Sequence, residues 1–110
     1  MIMKYVIDID GTICKHLDRP KFGKGKVYHD RIAKINELYD QGHEIVYYTA
    51  RGMGEFNQDI VSANNKWYKY TYDQLIEWNC KFTQLILGKY SGDIYIDDKA
   101  INSEDFFSNT

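Results

Sequence analysis

The chain has 110 residues, of which 27% are charged, with a formal net charge of −2 and two cysteines. That length suits one domain over residues 1–110 with a single core, and the near-neutral balance gives no electrostatic reason to expect a polyanion as the chief partner. No apolar run approaches the roughly 20 residues that span a bilayer, so no membrane partner and a cytoplasmic location are expected. Cys14 and Cys80 lack the close spacing of a disulfide framework or a zinc site and read as incidental.

In chain order, residues 3–9 (MKYVIDI) are apolar and β-branched, the pattern of a buried strand whose carboxyl-terminal tip carries Asp8 and Asp10. Residues 12–28 hold the only proline, Pro20, among glycines and lysines, which predicts a turn-rich excursion or short hairpin acting as a flap. From His29 or Asp30, Ile32, Ile35, Leu38 and Tyr39 recur at helical spacing, and Gly42 is the expected stop. Residues 44–49 (EIVYYT) predict a second strand with Thr49 at its tip. The glycines and asparagines of residues 51–66 predict a loop, and a helical pattern resumes from Tyr72 to Lys81. A short strand at 84–87 follows, and Asp93-Ile94-Tyr95-Ile96 predicts a fourth strand running into Asp97 and Asp98.

Strand, helix, strand in succession implies a parallel crossover unit, and in an open parallel sheet ligands bind beyond the carboxyl ends of the strands. The pattern therefore collects Asp8, Asp10, Thr49, Asp97 and Asp98 at one edge of one sheet. Carboxylates gathered in this way repel one another unless a cation neutralises them. Magnesium suits an oxygen-only ligand set that keeps waters and leaves room for phosphate. His16, His29 and His43 read as surface or capping residues. The stretch Trp67, Tyr68, Tyr70 and Tyr72, interleaved with Lys66 and Lys69, reads as a packed helix entry or an oligomer contact ahead of a base-stacking platform.

Through DIDGT (8–12), IVYYT (45–49), GK (88–89) and IYIDD (94–98), the chain resembles the haloacid dehalogenase superfamily over nearly its whole length. The resemblance implies an α/β fold with a Rossmann-like parallel sheet flanked by helices, and a magnesium-dependent phosphatase working through an aspartyl-phosphate. Asp8 would be the nucleophile, Asp10 the general acid and then base, and Thr49 and Lys89 the holders of the phosphoryl oxygens. Gly11, Thr12, Ala50 and Arg51, which complete the DIDGT and TARG motifs, would contact substrate. The metal would be held by Asp8, the backbone carbonyl of Asp10, and Asp97 or Asp98. Lys81 is the fallback for Lys89, because Lys89 lies only eight positions before Asp97.

Asp10 separates phosphatases from the dehalogenase branch, which lacks this second aspartate because a halide leaves without a proton. The chain has room for only a short flap after its first strand and no cap domain, so it resembles the capless group, and within it small phosphatases of capsule or polysaccharide biosynthesis. A small phosphorylated sugar or metabolite is the expected substrate, with a polynucleotide-end or nucleotide phosphatase as the alternative. A non-enzymatic phospho-acceptor resembling a response-regulator receiver is the rival of another class, although its motif order differs. Exclusion of water from a capless site leads us to expect a homo-oligomer in which residues 51–70 of one chain border the site of another.

Overall fold

The structure, a computed structural model, describes residues 1–108. Three strands, β1 (Lys4–Ile7), β2 (Glu44–Thr49) and β3 (Gln84–Leu87), and three helices, α1 (His29–Asp40), α2 (Ile60–Glu77) and α3 (Ser103–Ser108), make an α/β fold. The sheet is parallel throughout, in the order β1-β2-β3, with Ile7 opposite Tyr47 and Thr49 opposite Leu87. Alternation along each strand puts Ile45, Tyr47, Thr49, Leu85 and Leu87 on one face, and all five are buried. Ile45, Tyr47, Leu85 and Leu87 meet Ile32 and Ile35 of α1, and Trp67 and Leu75 of α2, in the core. No helix among the described residues is long and apolar enough to cross a membrane.

The first strand, first helix, second strand and third strand lie where the pattern predicts them. The helix α2 corrects the sequence reading, because it begins at Ile60 inside the segment expected to be a loop. Ala63, Trp67, Thr71, Gln74 and Leu75 form its buried stripe, and tertiary packing of that stripe overrides the weak helix propensity of Asn64 and Asn65. Trp67 is buried against Phe22 and Tyr70 and donates its indole N–H to Glu55 at 2.9 Å, so it is neither a stacking platform nor an exposed contact surface.

The predicted fourth strand is also corrected. Among the described residues, 93–96 have no strand partner and β1 has none on its outer edge, and Ile94 and Ile96 are 80% and 95% exposed. Local bonds hold this segment instead. The Tyr95 hydroxyl donates to the Tyr90 carbonyl at 2.7 Å and accepts from Gly92 N–H at 2.9 Å, and the Asp97 carboxylate accepts from Lys99 N–H at 2.8 Å.

The excursion after β1 forms a short hairpin-like flap. Lys15 N–H donates to the Lys26 carbonyl and Tyr28 N–H to the Ile13 carbonyl, with Cys14 bridged to Val27. Its far end is tied to α2, since the Phe22 carbonyl accepts from Tyr70 Oη at 2.6 Å and from Gln74 Nε2 at 2.7 Å.

Candidate active site

Parallel pairing lines up the carboxyl ends of the strands, so the residues just beyond them converge. Asp8 follows β1 and Thr49 ends β2. The chain leaving β3 turns at Gly88, whose φ of 129° falls where only glycine is unstrained. Gly88 and Lys89 then both donate their backbone N–H groups to the Thr49 carbonyl at 3.2 Å. That pair of bonds carries Lys89 across the sheet edge, and its Nζ comes 3.6 Å from Asp8 Oδ1.

These residues line a pocket of about 290 Å³, walled by Asp8, Asp10, His16, Phe22, Thr49, Ala50, Arg51, Lys89, Ser91, Gly92 and Tyr95. A broader cleft of about 530 Å³ lies elsewhere and has no acid in its lining. Its one cation, Lys81, is paired with Asp40 at 2.8 Å, so the structure brings Lys89 and not Lys81 to the carboxylates.

Burial raises the Asp8 carboxyl above its ordinary value, and the neighbouring Lys89 ammonium offsets part of that rise. Thr12 Oγ1 donates to Asp8 Oδ2 at 3.4 Å, so Thr12 orients the carboxylate without lining the pocket. Gly11 is likewise outside the lining, and its φ of 85° serves the tight turn after Asp10. Thr49 is buried, with its hydroxyl accepting from Arg51 N–H at 3.2 Å. The Lys89 ammonium also lies 4.4 Å from the centre of the Tyr95 ring, a cation–π contact that steadies the cation beside Asp8.

Arg51 departs from its expected role. Its side chain is wholly buried, and Nε and Nη2 form a fork on Asp10 at 2.8 and 3.0 Å. The remaining Nη1 donates to Gln74 Oε1 at 2.7 Å and to Thr71 Oγ1 at 3.3 Å, while the Phe22 ring lies 5.3 Å from the guanidinium. Arg51 therefore holds Asp10 and has little left to offer a substrate.

Asp97 and Asp98 are not brought to this pocket. Both are exposed, and the Lys99 backbone N–H, followed by Asp98, holds the Asp97 carboxyl below its ordinary value. Among the described residues no three His, Cys, Asp or Glu side chains are grouped to hold a metal ion. The buried Cys14 thiol, pushed up to about 12 by burial and by Asp10, is inert at neutral pH.

A crystal structure of a structural-genomics target from Vibrio cholerae has the same architecture. It superposes with a TM-score of 0.85 over 96% of this chain and 87% of that one, at 24% sequence identity. That likeness shows the fold alone. No protein-family model matches the chain, and no curated protein matches it.

The sequence reading missed His16, Phe22, Ser91, Gly92 and Tyr95 as pocket walls, and Thr71 and Gln74 as partners of Arg51. Tyr95 was hidden inside an apparent strand pattern. Nothing in the spacing of Thr71 and Gln74 distinguishes them from ordinary helix positions.

Proposed function

We propose that the chain is a phosphomonoesterase that works through an aspartyl-phosphate on Asp8, on a small phosphorylated sugar or metabolite. The observation that carries this reading is the convergence of Asp8, Asp10, Thr49 and Lys89, from three separate segments, on one pocket with Lys89 3.6 Å from Asp8. An Asp8 oxygen forms a bond to phosphorus as the bond to the leaving oxygen breaks, and Asp10 supplies the proton that oxygen needs. Water then attacks phosphorus, gives its proton to Asp10 and releases inorganic phosphate from Asp8. Lys89 and the Thr49 region counter charge on the equatorial oxygens, where catalysis of phosphoryl transfer mostly resides.

The pocket suits magnesium held partly by the substrate. Asp8 offers a carboxylate oxygen, and this ion needs only one or two carboxylates when phosphate oxygens and waters complete its shell. Bound there, it would offset charge on the transferring phosphoryl group. A share for Asp97 or Asp98 requires Asp93–Ile96 to join the free edge of β1, which its alternating apolar pattern suits.

The test is a turnover screen with and without a chelator against sugar phosphates, nucleotides and 3′-phosphorylated oligonucleotides, with Asp8→Asn as control. Chelator-sensitive release of phosphate from a small substrate, lost in Asp8→Asn, is expected. Release by Asp8→Asn at the normal rate removes Asp8 as nucleophile. A preference for the oligonucleotide transfers the assignment to a polynucleotide-end phosphatase, a reading favoured by the exposed cations Lys15, Lys21, Lys24 and Lys26 on the flap.

A further inference from the structure

Flap and proton donor are joined by one amide. Gln74, buried on α2, donates from Nε2 to the Phe22 carbonyl at 2.7 Å and accepts at Oε1 from Arg51 Nη1 at 2.7 Å. Arg51 in turn grips both oxygens of Asp10. The order of groups fixes the amide, because reversing it would set two donors against each other at Arg51 and two acceptors at Phe22. Among side chains of this length only glutamine offers a donor and an acceptor together, so a glutamate would face the Phe22 carbonyl with a second acceptor and a methionine would satisfy neither end.

The approach is close as well as directional. Gly23, at φ 72°, passes so near that a Cβ there would collide with the Gln74 amide, so both the conformation and the space demand glycine. Phe22 is a wall of the pocket, and its ring covers the guanidinium that holds Asp10. A continuous chain of contacts thus runs from the flap wall at Phe22 through Gln74 and Arg51 to the Asp10 carboxyl.

We propose that Gln74 is a positioning residue: it acts through Arg51 to hold Asp10 in register with the flap, so that proton delivery to the leaving oxygen depends on the flap being seated. This rests on the phosphatase reading above and adds to it a dependence on leaving group that the reading alone does not contain.

Two substrates separate the step. A primary alkyl phosphate needs its leaving oxygen protonated, whereas 4-nitrophenyl phosphate leaves without help. Gln74→Met should lower kcat/KM, which reports transfer to Asp8 and not the later hydrolysis common to both substrates, by about tenfold to a hundredfold on the alkyl phosphate, the scale of a small misplacement of a catalytic group, with little change on the aryl phosphate. Gln74→Glu, nearly isosteric, guards against a folding defect and should show the same selectivity, with thermal unfolding measured for both. Tyr70→Phe removes the other bond to the Phe22 carbonyl and leaves the Gln74 bond in place, so any loss it causes by loosening the flap should be smaller and fall on the alkyl phosphate. Equal losses in kcat/KM on the two substrates in both Gln74 variants would overturn the proposal by reducing Gln74 to a flap anchor, as would a Tyr70→Phe loss that falls equally on both. Asp10→Asn keeps the two ideas apart: if it discriminates between the substrates and the Gln74 variants do not, the phosphatase reading stands and this inference falls. If Asp10→Asn itself shows no discrimination, the acid role falls and takes this inference with it.

Discussion

Arg51 sits with no exposed side-chain surface and holds Asp10 by a two-bond fork at 2.8 and 3.0 Å. A residue that reads from sequence as a substrate contact is thus a structural partner of the carboxyl two positions beyond the proposed nucleophile. Removing one member of a buried pair leaves the other charged and uncompensated. Arg51→Met should therefore cost about 3–5 kcal/mol of stability, read from chemical denaturation. Arg51→Lys keeps the charge but not the planar fork, and should recover only part of that loss. A denaturation midpoint unchanged in Arg51→Met would mean that Asp10 finds another partner.

Asp8→Asn should abolish turnover and at the same time raise the melting temperature at neutral pH. Burial raises the Asp8 carboxyl above 3.8 in the folded state, so the folded chain holds that proton to higher pH than the unfolded chain does. Stability is then lost as pH rises from the unfolded value through the folded one, and the loss is fully present above both. Asparagine carries no such titration. The gap in melting temperature between the two proteins should narrow as pH falls below the unfolded value, and a gap that is the same in acid would show that the effect is not proton-linked.

The acid limb of kcat/KM reports the carboxylate that attacks, Asp8, and burial raises that carboxyl in the metal-free protein. Lys89 opposes that rise through its charge. Lys89→Met should move the acid limb to higher pH, in addition to lowering the plateau. A pH–rate profile in which the limb stays in place would separate Lys89 electrostatically from Asp8.

Backbone amides of residues 94–96 should exchange rapidly in the free protein, since that stretch has no strand partner. Added magnesium with inorganic phosphate should slow them if the stretch joins β1, and the Asp97→Asn, Asp98→Asn double variant should lose the slowing. Exchange that ignores the ion in both proteins would leave Asp8 and the substrate oxygens as the holders.

Much of this site was legible because strand tips are legible. A β-branched run ending in acid, as at Asp8, or in threonine, as at Thr49, declares both the element and the edge where chemistry lies. Residues whose roles depend on distant partners were not. Arg51 is held by Thr71 and Gln74, which lie 20 and 23 positions on and become neighbours only because α2 packs against the sheet. The asparagines at 64 and 65 disguised the start of α2, whose actual warrant is a buried stripe that no local propensity announces. Tyr95 obeyed strand alternation in sequence yet folds back onto Tyr90 and Gly92, since a four-residue apolar pattern cannot say whether an edge will receive it.

The unpaired edge of β1 bears on how the protein behaves in concentrated solution. An edge with no strand neighbour among the described residues, beside Val6, which is 59% exposed, is a template that a strand from another molecule can extend. Two features blunt it: the strand is only four residues long, and Lys4 places a charge on it. An insertion that lengthened β1, or a substitution of Lys4 by an apolar residue, would remove those brakes and leave turbidity rising with concentration before any loss of secondary structure.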